Sequence, residues 1–180
     1  MHANIHEINH FRNTYYVFKD RFEAGDILGQ MLEHEYRNAH NLMVLAIPSG
    51  GVPVGLKISK KLNAPFDLII VRKIQIPDNP EAGFGAITLG GSIFLNKKLI
   101  SLLRLSPSQI KKQTDLVKED LIKRNRLFRK GRAFPDISEK TIILVDDGIA
   151  SGYTMMASIH NVRKLKARKI VVAIPTAPAS

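Results

Sequence analysis

The stretch TIILVDDGIASGYT, residues 141–154, constrains this chain more than any other. An apolar run of strand length ends in two adjacent acids and passes at once through small residues to hydroxyls. Apolar runs buried on both faces belong to parallel sheets covered by helices. In such sheets ligands sit beyond the carboxyl ends of the strands, where a loop leads into a helix. The helix start offers unpaired N–H groups and a partial positive charge, which suit a phosphate. Gly148 and Gly152 let the backbone approach closely, and Ser151 and Thr154 carry donor hydroxyls. Asp146 and Asp147 would repel phosphate, so they call for a partner rich in donors, such as the hydroxyl pair of a ribose. Phosphate in the loop and ribose at the acids together describe a ribose 5-phosphate.

The rest of the chain reads as the same class. RFEAGDILGQMLEHEYRNAH has helical apolar spacing, and LMVLAI (42–47) is a strand closed by Pro48-Ser49-Gly50-Gly51. VPVGLKISKKL reads as a helix, FDLIIVRK (66–73) as a second buried strand, and 86–89 and 92–95 as two short strands. Ser106-Pro107-Ser108-Gln109 is a helix start with the makings of a capping box. That helix should run to about Lys130 and stop at Gly131, with Ile110, Val117, Leu121 and Phe128 facing inward. A strand over TIILVD, a helix over 153–165 and a strand over KIVVAIP complete an α/β chain. The expectation is one domain over 13–180 with a parallel central sheet flanked by helices, a helical basic insertion over about 96–134, and a tail over 1–12. His2, His6 and His10 in that tail share a helical face, but no acid or cysteine completes a metal site.

DDGIASGYT after an apolar strand resembles the signature of the type I phosphoribosyltransferases, and PSGGVPVG and VRKIQIPDNPEAGFGAI resemble further segments of that family. Over 18–178 the chain is similar to a bacterial and archaeal group within it. The resemblance implies a site for 5-phosphoribosyl pyrophosphate (PRPP). Asp146, Asp147 and Lys73 would be catalytic, with the acids on the ribose hydroxyls. Gly148, Ile149, Ala150, Ser151, Gly152 and Thr154 would cradle the 5-phosphate. Ser49, Gly50 and Gly51 would offer amides to the pyrophosphate, with Arg72 or Lys73 neutralising it, and a strained or cis peptide is expected near Ser49-Gly50. It also implies Mg²⁺ arriving with PRPP rather than a metal site in the free protein, a nitrogenous base as acceptor, and a homodimer.

Three departures from the family pattern stand out. Ala150 replaces the acid by which hypoxanthine-guanine enzymes contact the purine. Ser49 stands where relatives often carry arginine. The sequence ends at APAS, just after KIVVAIP, where relatives continue.

The net charge of +11 implies an anionic partner. It is concentrated: Lys97 to Arg132 hold twelve Lys or Arg against three acids, a net +9. Arg124, Arg126, Arg129, Lys130 and Arg132 could form a solvated face, a hood over the site, or a nucleic-acid surface. A PRPP-binding regulator of RNA or DNA is therefore the alternative to a transferase. The absence of cysteine excludes disulfides and thiolate nucleophiles. With no membrane-length apolar run and no signal-like N-terminus, the expected location is the cytoplasm.

Overall fold

The computed structural model describes residues 5–178. His2 of the tail and the last two residues of APAS lie outside that range. Asn9–Phe11 form a single 3-10 turn, and the regular fold begins with helix α1 (Arg21–Tyr36).

The central sheet is parallel, in the order β2 (Phe66–Leu68), β1 (Leu42–Ala46), β6 (Thr141–Val145), β7 (Lys169–Ala173). Alternate residues of its strands go to opposite faces. Val44, Ala46, Ile143 and Val145 pack under α1 and α2 (Gly51–Leu62), against Val54, Ile58 and Leu62. Met43, Leu45, Ile142 and Leu144 pack under α5 (Tyr153–Lys164), against Met155, Ala157 and Val162. Burial on both faces explains why these strands are apolar throughout. α1 lies close on α2 because Gly25 presents no side chain; a Cβ there would sit 2.7 Å from the Val54 carbonyl oxygen.

FDLIIVRK is not one strand. It breaks at Ile69-Ile70, and its second half enters a separate antiparallel sheet, β3 (Val71–Ile76), β4 (Asn79–Thr88), β5 (Ile93–Leu95). The junction itself is buried, with Ile69, Ile70 and Val71 each under 5% exposed, so the residues give no polar signal where the chain changes sheet. The second sheet shares a core with α3 (Lys97–Leu102) and α4 (Pro107–Arg129), built from Ile74, Phe84, Ile87, Val117 and Leu121. Ile110 and Phe128 join it, as the helical spacing predicts. Ser106 and Gln109 form the full capping box, and α4 stops where Lys130 and Gly131 turn left-handed, at φ 47° and 83°.

Arg129 departs from the sequence reading, which placed it on the basic outer face. It is 3% exposed and grips Asp67 of β2 with both nitrogens, at 2.7 and 2.9 Å. It also donates to the Leu68 and Ala133 carbonyls and lies over the Phe134 ring. The end of α4 is thus clamped to the central sheet at the point where the sheets part. Among the described residues no helix is long and apolar enough to cross a membrane.

Candidate active site

Two loops meet at the carboxyl ends of the adjacent strands β1 and β6. The first, Pro48 to Gly51, has a cis peptide between Pro48 and Ser49, one bond before the expected place. The second runs from Asp146 to Gly152. They touch closely: a Cβ on Gly50 would fall 2.1 Å from Asp147 Oδ2, and one on Gly51 would fall 2.7 Å from the Val145 carbonyl oxygen. Only glycine at 50 and 51 allows the acid pair to sit on the first loop.

Both loops lead into helices whose starts no side chain caps. Gly50 precedes α2 and Gly152, left-handed at φ 75°, precedes α5. In α2 the Gly51 amide donates to the Ile47 carbonyl at 3.1 Å and the Val52 amide to the Ser49 carbonyl at 3.2 Å, and Pro53 has no N–H, so it is the first turn of α5 that offers amides to a ligand. Ala150 and Ser151 are exposed, and Gly148, Ile149, Gly152 and Thr154 are partly so. The loop is held from behind, where the Ile149 amide donates to the Thr176 carbonyl at 3.0 Å.

The acid pair is electrostatically uneven. The Asp147 amide donates to Asp146 Oδ1 at 2.9 Å. Burial pushes Asp146 up to about 7; the Asp147 charge adds to the rise, and the amide hydrogen bond opposes it. Asp147 has a cationic partner that the sequence reading missed. Arg21, the first residue of α1, donates from Nε to Asp147 Oδ2 at 2.8 Å, and its Nη2 lies 2.7 Å from the same oxygen as an ion-pair contact. A signal for it was present: a cation in the first turn of a helix opposes the helix dipole and so calls for a partner elsewhere.

The two expected diphosphate cations separate. Along β3, Arg72 shares the face of Ile74, which packs toward α4, and Lys73 shares the face of Val71, which packs toward the central sheet. Arg72 Nε lies 2.7 Å from Asp120 Oδ2 on α4, but off any hydrogen-bond direction, so the contact is purely ionic. The Lys73 stem crosses Gly83, where a Cβ would fall 2.3 Å from Lys73 Cγ. The structure thus brings 49–51 and 146–154 into one site and ties Arg72 to α4.

The profile of the phosphoribosyl transferase domain matches residues 20–180. The chain belongs to the phosphoribosyl transferase domain family. Two Mycobacterium tuberculosis proteins, provisionally named phosphoribosyl transferases, are each 36% identical to it over 162 residues. That match takes in 90% of this chain and 36% of each relative, so the chain spans about a third of their length. The crystal structure of TT1426 from Thermus thermophilus superimposes with a TM-score of 0.71 at 32% identity, over 89% of this chain and 75% of that one. A Staphylococcus aureus hypoxanthine phosphoribosyltransferase superimposes at 0.52 with 10% identity, over 90% of this chain and 74% of that one, a likeness of fold alone. The parallel sheet with its flanking helices is the type I phosphoribosyltransferase fold.

Proposed function

We propose that this phosphoribosyl transferase domain binds PRPP and transfers its 5-phosphoribosyl group to a nitrogenous base, releasing pyrophosphate. The observation that carries the reading is the meeting of two uncapped helix starts with an acid pair between them. A molecule with a phosphate at one end, a diol in the middle and a diphosphate at the other matches that order of donors and acceptors. Residues 148–152 and Thr154 would hold the 5-phosphate, Asp146 and Asp147 the ribose hydroxyls, and the Ser49 and Gly50 amides the diphosphate, with Lys73 to neutralise it. In the reaction a nitrogen–C1 bond forms and the bond from C1 to the diphosphate oxygen breaks. The chain's part is to fix the ribose and hold the departing anion by preplaced donors.

Among the described residues no three of His, Cys, Asp and Glu converge as metal ligands. The two acids alone suit a Mg²⁺ that brings most of its oxygen ligands with it, as one held by a diphosphate does. Such an ion would neutralise charge on the leaving group. Ala150 leaves the phosphate loop without an acid to meet a purine, which favours an acceptor other than hypoxanthine or guanine.

The nucleic-acid alternative gains no specific observation. Arg129 is buried on Asp67, Arg124 pairs with Asp120 at 2.9 Å, and Lys111 pairs with Asp115 at 2.6 Å. Cations engaged within the chain have less to offer a polyanion.

Calorimetric titration of PRPP with Mg²⁺ tests the proposal. The wild type should bind, and Asp146→Asn/Asp147→Asn should weaken binding by about a hundredfold, as expected when a bound diol loses its charged acceptors. A wild type that does not bind PRPP would overturn the reading.

A further inference from the structure

The ion pair between Arg21 and Asp147 ties α1 to the centre of the candidate site, and its geometry is unusual in three respects. Arg21 opens α1 although a cation there opposes the dipole, and the acid that caps the helix is Asp20, not Asp147. Two guanidinium nitrogens converge on one oxygen, Asp147 Oδ2, with Nε donating at 2.8 Å and Nη2 in ionic contact at 2.7 Å. That same oxygen lies where a Cβ of Gly50 would be, 2.1 Å from it, against the uncapped start of α2. Asp147 Oδ2 therefore has an arginine on one side and the Gly50 backbone of the first loop on the other. Those are the surroundings of a bound anion.

The Pro48–Gly51 loop itself contains no cation, and Arg72 is drawn away to Asp120. Arg21 is the cation that the structure shows in contact with the acid pair beside this loop. Its side chain is 59% exposed, so it can follow a ligand without unpacking the core.

We propose that Arg21 binds the diphosphate of the substrate, and that Asp147 occupies in the ligand-free chain the anion position the diphosphate takes. This rests on the PRPP reading given above. The incoming diphosphate exchanges with the Asp147 carboxylate for the guanidinium and the start of α2. Asp147, released, turns to the ribose hydroxyls. The exchange swaps one charge-assisted contact for another, so Arg21 is never left unpaired, and neither is the carboxylate.

The experiment compares wild type, Arg21→Ala and Arg21→Lys for binding of PRPP, inorganic pyrophosphate and ribose 5-phosphate, each with Mg²⁺, alongside a thermal melt. Arg21→Ala should weaken PRPP and pyrophosphate by at least about tenfold, the scale of one lost charge-assisted contact, and leave ribose 5-phosphate within about twofold. Arg21→Lys keeps the charge without the two-pronged contact and should fall between. Pyrophosphate binding as tight in Arg21→Ala as in wild type overturns the proposal. So does an equal loss for pyrophosphate and ribose 5-phosphate, which would assign Arg21 a structural role. Failure of the wild type to bind PRPP at all would instead remove the transferase reading on which the proposal stands.

Discussion

The helices of this protein start in two ways. α1, α3 and α4 begin under side-chain caps: Asp20 accepts from the Glu23 amide, Asn96 from the Leu99 amide, and Ser106 from the Gln109 amide. α2 and α5 begin at glycines, with no side-chain cap on either. Glycine in place of a capping side chain costs only about a few tenths of a kcal/mol, so such starts are cheap to keep. The uncapped pair are the two helices that follow adjacent central strands and flank the acid pair. α4, which packs on the second sheet, is closed by its own side chains, whereas the helices at the candidate site start on glycine, where backbone can come close to a neighbour or a ligand. The contrast is between the α4 region, held by caps and a clamp, and the β1–α2 and β6–α5 junctions, where the proposed ligand site lies.

The largest effect expected on the stability side is at the clamp that fixes α4 to the central sheet. Asp67→Ala leaves the Arg129 guanidinium buried at 3% exposure without its carboxylate. Breaking a buried pair from one side costs about 3 to 5 kcal/mol, readable as a lower midpoint in urea unfolding. A loss under about 1 kcal/mol would show that the clamp is not what holds the two sheets together.

Gly50→Ala probes the other region. Gly50 is right-handed, at φ −64°, so alanine meets no backbone penalty. Its Cβ would nevertheless strike the Asp147 carboxylate and push it off the first loop. PRPP affinity should fall at least about tenfold while the unfolding midpoint moves by less than about 1 kcal/mol. If stability falls and binding holds, the division between the two regions fails.

Much of this division was legible in the sequence. Asp146, Asp147 and the glycines after them stand out as a candidate ligand loop because two acids, small residues and hydroxyls follow one another directly after an apolar strand, and Ser106-Pro107-Ser108-Gln109 is a cap spelled out locally. The break at Ile69-Ile70 was hidden because the residues on either side of the change of sheet are alike apolar. Arg129 was taken for surface because charge along a helix does not reveal a partly buried acid 62 residues away. Arg21 was passed over because α1 was read from its apolar spacing alone, although its place in the first turn was anomalous. The site residues far apart in sequence meet only through the order of the parallel strands, which local pattern does not encode.

A pH titration sharpens the contrast, because the raised carboxyl belongs to the site. Burial lifts Asp146 to about 7, so the folded chain holds its proton where an unfolded carboxylate has lost it. The associated stability is present in acid and lost as the pH climbs from the ordinary carboxylate range through about 7. Melting temperature in the free protein should therefore fall over that window, and Asp146→Asn should flatten the fall. Ribose hydroxyls need the ionised acid, so PRPP affinity should move the other way. It should rise roughly tenfold from about pH 6 to 8 as the competent form grows from a small fraction to most of the chains. An affinity profile with the same slope in wild type and Asp146→Asn would place the titration on the ligand instead.

The smallest expected effect is the most direct test of the two kinds of helix start. Ser106→Ala removes the hydroxyl half of the capping box, in which Ser106 Oγ accepts from the Gln109 amide at 3.2 Å, and leaves the backbone half, in which the Ser106 amide donates to the Gln109 side chain at 2.9 Å. The loss should be about 1 kcal/mol in unfolding free energy. PRPP affinity should not change, because the cap serves α4 alone and the proposed ligand donors belong to the loops after β1 and β6. Should affinity drop with the cap, α4 would be coupled to the site. The route for such coupling is already in the structure: Asp120 on α4 holds Arg72, the neighbour of Lys73 on β3. Stability and binding would then be two readings of one region, and the caps would distinguish position in the fold but not purpose.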